Sequence, residues 1–259
     1  MKVNAKLLTL ALCLIMSTWL ACNQPETELV VEVEDAPEEP SPAPHKPAVA
    51  AHEPPHGIDV SHHSGDVAWS EVVGDGLVFG LAKASEGVDY TDPMFATNWE
   101  KMKSARIIRG AYHFYIPDDD PVEQARNFIQ NVSLGPGDLP PVVDIEKAGK
   151  IKGEVLANQI KQWLDLVEGH FGIKPIIYTT PNFWDANVGG DFSGYHLWIS
   201  NFGTDTPRLP KAFTQWLIWQ YRENVPILGV ADGADLSKLN HELIELEAVL
   251  FPPVAAAEK

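Results

Sequence analysis

From His56 onward the chain is punctuated by eight short apolar runs, each closing on polar or aromatic residues, and this recurrence constrains the fold more than any other feature. The runs are GIDVSHH (57–63), LVFGLAKAS (77–85), RIIRGAYHFY (106–115), LPPVVDIE (139–146), KPIIYTT (174–180), HLWIS (196–200), WLIWQY (216–221) and ILGVADGADL (227–236). Between the early runs lie helical patterns: 91–105 opening on a Thr cap, 121–132 with Pro in its first turn, and 153–172 closing on Gly. Strands alternating with helices make parallel βαβ units, and eight strands in about 200 residues predict a closed barrel rather than an open sheet. Helices shorten or vanish after Tyr178. The expectation is an α/β fold: an irregular (β/α) TIM-like barrel with eight strands and reduced helices in its C-terminal part.

In such a barrel the C-terminal strand ends carry the active site. VVDIE (142–146) places Asp144 and Glu146 there, two positions apart and so on one face, with Cα atoms about 6.6 Å from each other. Asp59, Tyr112, Phe114, Tyr178, Trp198, Trp219 and Gln220 fall at corresponding ends. Acids among aromatics suit glycosidic bonds: one carboxyl donates a proton to the leaving oxygen, a second stabilises an oxocarbenium-like centre, and ring faces stack on sugars. If Asp144 is ionised, its charge raises the pKa of Glu146 and keeps that acid protonated.

HGIDVSHHSGDVAW (56–69), LAKASEG (81–87), RGAYHFY (109–115), PPVVDIE (140–146), IIYTT (176–180), LWIS (197–200), WQY (219–221) and the late Asp235 together resemble the family 25 glycoside hydrolases, the Chalaropsis-type lysozymes. The likeness runs in order over about residues 56 to 245. It implies an irregular (β/α) barrel that cleaves the β-1,4 bond between N-acetylmuramic acid and N-acetylglucosamine in peptidoglycan, without a cofactor. It implies Glu146 as general acid/base, Asp144 in a nucleophilic or acetamido-orienting role, and Asp59 and Asp235 as the rest of an acidic floor. Two departures bear on preference for sugar or peptide stem. His63 stands where the family often has an aromatic, and Asn201-Phe202 follow LWIS where an Ala and a basic residue are common. A chitinase-like specificity, or a silent wall-binding protein that keeps the groove, are the competing readings.

Residues 1–22 have the form of an export signal: Lys2 and Lys6, the apolar LLTLALCLIM, then Ala21-Cys22. Ala21-Cys22 resembles a lipoprotein cleavage site, which predicts lipidation of Cys22 and attachment to a membrane of the bacterial cell envelope, with ordinary signal cleavage and secretion as the alternative. Residues 23–55 are acidic and proline-rich, too poor in apolar surface to offset ordering entropy, and are expected to form a disordered linker. The catalytic domain is expected over 56–259. With Cys13 inside the signal, no internal disulfide is available to the mature chain. A formal charge of −17 offers no basic footprint for a nucleic acid. A monomer is expected.

Other features read more simply as structure. His113 is expected as a hydrogen-bonded core histidine, and Trp163 and Leu164 as core. Asp118 to Asp120 read as a solvated turn before a helix N-terminus. His62 and His63, taken as strand neighbours facing opposite ways, do not read as a metal site.

Overall fold

The computed structural model describes residues 54–240 and 248–252. The signal, Cys22 and nearly all of the linker lie outside the described residues. Eight strands close a barrel: β1 (His56–Val60), β2 (Phe79–Glu86), β4 (Ile108–Phe114), β5 (Val142–Asp144), β6 (Ile176–Thr179), β7 (His196–Ser200), β8 (Ile218–Ile227) and β9 (Val230–Leu239). A two-residue strand, β3 (Tyr90–Thr91), is appended to the edge of β2. β1 pairs with both β2 and β9, which shuts the ring.

Within the barrel, the pairings among β1, β2, β4, β5, β6, β7 and β8 are parallel, but β9 runs antiparallel to both its neighbours, as does the appended β3 to β2. The run at 227–236 is therefore not an independent parallel strand. β8 continues past Tyr221 to Ile227 and turns back at Leu228-Gly229, with Gly229 at φ 84°. A turn of this length can join only antiparallel neighbours, because a parallel crossover needs a dozen or more residues. β5 is shorter than its apolar run because Pro140 and Pro141 have no N–H to give to a ladder.

The helices occupy the expected segments with local differences. α2 (Phe95–Ala105) has no Thr cap: Thr91 belongs to β3, and Asp92 accepts from the Met94 N–H instead. α3 (Pro121–Asn131) is capped by Asp120, whose Oδ1 accepts from Val122 and Glu123 at 2.8 and 3.0 Å. α4 (Gly153–Phe171) ends on Gly172 at φ 71° and buries Leu156, Ile160, Trp163, Leu164 and Val167, a helical spacing. α1 (Trp69–Gly74) is a short addition not foreseen in the sequence, and α5 (Pro181–Asn187) is a short helix of the kind expected after Tyr178.

Strand alternation separates two cores. Ile58, Val60, Ala82, Ala111, Val143, Ile177, Leu197 and Ile199 join the layer beneath the helices, while Phe79, Leu81, Val142, Ile176, Trp198, Ile218 and Leu239 fill the barrel. Gly57 is required inside: a Cβ there would lie 2.3 Å from the buried Phe79 ring. His113 faces the outer layer, fully buried, between Ser85 Oγ at 2.8 Å and Gln124 Oε1 at 3.2 Å, with its ring stacked on Trp163. Burial pushes its pKa down to about 3, so it is a neutral core histidine.

Candidate active site

At the barrel end formed by the C-terminal ends of the parallel strands, polar side chains enter the inward positions. Asp59 (β1), Lys83 and Glu86 (β2), Tyr112 and Phe114 (β4), Asp144 (β5), Tyr178 (β6), Trp198 (β7), Gln220 (β8) and Asp235 (β9) border one cavity of about 490 Å³, with Glu146 and Lys147 just beyond β5. All four acids singled out in the sequence thus share one space. Asp59 and Asp235 are direct partners across the β1–β9 pairing. Asp144 is only 7% exposed, and its Oδ1 has no hydrogen-bond partner among the described residues. Glu146 is exposed at the mouth.

The other groups hold these acids in place. Gln220 Nε2 donates to Asp59 Oδ2 at 2.8 Å, and its Oε1 accepts from Tyr178 OH at 3.0 Å. The Asn224 N–H donates to Asp235 Oδ1 at 2.9 Å. Trp198 Nε1 donates to Ser237 Oγ at 3.1 Å, and its ring meets Tyr178 edge-on at 4.5 Å between centroids. Tyr178 and Trp198 are both buried, whereas Tyr112 and Phe114 are half-buried and offer ring surface to the cavity.

Burial and like charge in this cavity disfavour the ionised forms of Asp59, Asp144 and Glu146. Burial, then the neighbouring Asp235, pushes Asp59 up to about 8. Asp144 lies well above the carboxylate range, through burial first and then the charges of Glu146 and Asp59. Glu146 is raised as well, chiefly by loss of water contact and then by Asp235. The expectation that an ionised Asp144 alone keeps Glu146 protonated is therefore too simple: Asp144 itself resists ionisation, because it is the more deeply buried of the two. The phenols of Tyr112 and Tyr178 are pushed up by burial and by the surrounding carboxylates and stay neutral.

Trp219 is not brought to this cavity. It follows the outward alternation of β8, is 3% exposed, donates through Nε1 to Asn201 O at 2.8 Å, and borders a separate cavity with Trp216 and Lys238. The histidine pair also differs from expectation. β1 stops at Val60, and His62 and His63 sit in a 3-10 turn with their rings 3.9 Å apart rather than on opposite strand faces. His62 Nδ1 is bonded to Asp92 Oδ2 at 2.7 Å, and His63 lines the catalytic cavity. Lys83, Glu86, His63 and Lys147 are cavity residues that sequence reasoning had not assigned.

A barrel whose strand ends gather raised-pKa carboxyls among aromatic walls is the arrangement of a glycoside hydrolase. The comparisons agree. The model of the glycosyl hydrolases family 25 matches residues 58–230. The chain is 34% identical over 198 residues to the uncharacterized protein YegX of Escherichia coli K12, covering 74% of this chain and 72% of that protein. It is 32% identical over 206 residues to Lysozyme M1 of Streptomyces globisporus, covering 74% and 70%. The crystal structure of the bacterial lysozyme from Streptomyces coelicolor superposes with a TM-score of 0.69 at 30% identity, over 73% of this chain and 93% of that one. The chain belongs to glycosyl hydrolase family 25.

Proposed function

We propose that this chain is a peptidoglycan muramidase that cleaves the β-1,4 bond between N-acetylmuramic acid and N-acetylglucosamine. The observation that carries the reading is the single cavity in which Asp59, Asp144, Glu146 and Asp235 converge between Tyr112, Phe114, Tyr178 and Trp198, in a chain whose relatives include Lysozyme M1 and an N,O-diacetylmuramidase of Chalaropsis. Glu146, raised and at the mouth, gives its proton to the leaving oxygen and recovers one from the incoming water. Asp144 faces the developing positive charge with a carboxyl oxygen that has no hydrogen-bond partner among the described residues. Tyr112 and Phe114 present rings to the sugars, and Asp59 with Asp235 forms the acidic floor.

The enzyme works as a monomer on glycan strands. Lipidation at Cys22 attaches it to an envelope membrane, and residues 23–55 serve as the tether. Purified peptidoglycan and chitin, assayed side by side for new reducing ends, test the activity. Ends at muramic acid from peptidoglycan, with chitin cut far more slowly, support a muramidase. Equal rates on both would support the chitinase-like reading, and no ends from either would leave a wall-binding protein.

A further inference from the structure

Lys83 and Glu86 are three residues apart, which in a regular strand puts them on opposite faces. In β2 they share one. Lys83 is level with Tyr112 on β4, but Ser85 is level with His113, so the register slips at Ala84. This bulge resets the alternation. Ser85 then faces outward to His113, and Glu86 returns to the inside beside Phe114. The two charges meet at 2.6 Å from Nζ to Oε2 within the catalytic cavity.

The pair is oriented. The Lys83 side chain is 10% exposed and that of Glu86 31%, so the ammonium is the inner end and the carboxylate the outer one. Rings confine the ammonium further, Phe114 at 4.7 Å and Tyr90 at 5.6 Å from Nζ to centroid. The ionisable groups that share the cavity with it are Asp59, Tyr112, Asp144, Glu146, Tyr178 and Asp235, together with the exposed His63 and Lys147. Lys83 is the one buried cation in that set.

We infer that Lys83 is a positioning residue for the reaction: clamped by Glu86 across the bulge, its ammonium supplies the positive charge that lets one buried carboxyl ionise while a neighbour keeps its proton. Without it, Asp144, raised by burial and by the charges of Glu146 and Asp59, would have no buried cation in the cavity to favour its anion. The charge of Lys83 opposes the upward push on both Asp144 and Glu146, while that of Glu86 adds to the push on Asp144. The two members of the pair therefore act in opposite directions. This assignment rests on the muramidase reading of the same cavity.

The test follows the carboxyls directly by NMR titration of isotope-labelled Asp and Glu, alongside the pH profile of kcat/KM on peptidoglycan, for wild type, Lys83→Met, Lys83→Arg and Glu86→Gln. Lys83→Met is expected to move the Asp144 and Glu146 titrations, and both limbs of the profile, upward by about one pH unit. Glu86→Gln moves the Asp144 titration downward, and Lys83→Arg restores the wild-type profile. Unmoved titrations in Lys83→Met and Glu86→Gln overturn the inference, whatever happens to activity or melting temperature. Should Lys83→Met not fold, Glu86→Gln decides: a downward shift supports the inference and no shift ends it. A wild type inactive on peptidoglycan would defeat the muramidase reading alone, since the titrations still report on the pair.

Discussion

Gln220 Nε2 donates to Asp59 Oδ2 at 2.8 Å, and these two residues lie 161 positions apart in the chain. The bond passes from β8 to β1 over the intervening β9, and Tyr178 OH fixes the other end of the amide at 3.0 Å. One side chain thus ties a floor acid to an aromatic wall. Gln220→Leu keeps the approximate volume but removes the amide's bonds to both Asp59 and Tyr178. The expected result is a fall in kcat of up to roughly 10²-fold, the scale on which small displacements of reacting groups act, with the fold retained. Steady-state kinetics with circular dichroism measure it, and an unchanged kcat would remove Gln220 from the positioning network.

Glu146→Gln is nearly isosteric and cannot donate or recover a proton. Because Glu146 is exposed at the mouth rather than packed in the core, the variant should fold normally. Release of reducing ends from peptidoglycan is expected to drop by roughly 10²-fold or more. Near-normal turnover would assign the acid/base role elsewhere in the cluster.

The raised carboxyls also make stability depend on pH. Asp59 moves from an ordinary 3.8 to about 8, so the folded protein holds a proton that the unfolded chain releases as pH rises past 3.8. Its contribution to stability is complete at lower pH and is lost progressively until pH passes about 8. Asp144 and Glu146 are displaced in the same direction. The melting temperature is therefore expected to fall between about pH 5 and about pH 8, and Asp59→Asn should flatten that slope. Calorimetric scans across this range would contradict the assignment if the wild-type melting temperature stayed level or rose.

The eight strands were legible because apolar runs and turn residues recur whatever the direction of pairing. The antiparallel course of β9 was not, since period-2 patterning is the same for either direction. Only the brevity of the Leu228-Gly229 turn betrays it. Lys83 and Glu86 were hidden for a related reason: a bulge leaves no mark in hydrophobic patterning, and without one their spacing denies a shared face. Trp219 shows the reverse error. Its neighbour Gln220 faces the cavity, so alternation alone already assigned the indole to the outer layer.

That placement is open to measurement. Trp219→Phe removes the bond from Nε1 to Asn201 O and should cost about 1–2 kcal/mol of stability, leaving kcat and KM within about twofold of wild type. Trp198→Phe, by contrast, loses the buried Ser237 bond that holds a ring bordering the cavity against Tyr178, and its main cost should fall on kcat/KM. Denaturant titration paired with kinetics separates the two. A large activity loss in Trp219→Phe would return that residue to substrate binding.

The proposed attachment to a membrane rests on sequence alone, through the signal-like residues 1–22, Cys22 and the acidic, proline-rich 23–55. Acyl chains on a mature N-terminal Cys22 would hold the protein firmly, because each buried methylene contributes about 0.8 kcal/mol and two or more chains act together. If residues 23–55 act as the proposed tether, their length would let the catalytic domain reach glycan strands up to roughly 100 Å from the bilayer. Cys22→Ser is expected to shift the protein to the soluble fraction or stall its processing, while the activity of whatever protein is recovered matches wild type per molecule. Fractionation with mass spectrometry of the N-terminus checks this. Wild-type protein found soluble with an unmodified N-terminus would make the signal an ordinary secretory one and leave the acidic segment without a tethering role.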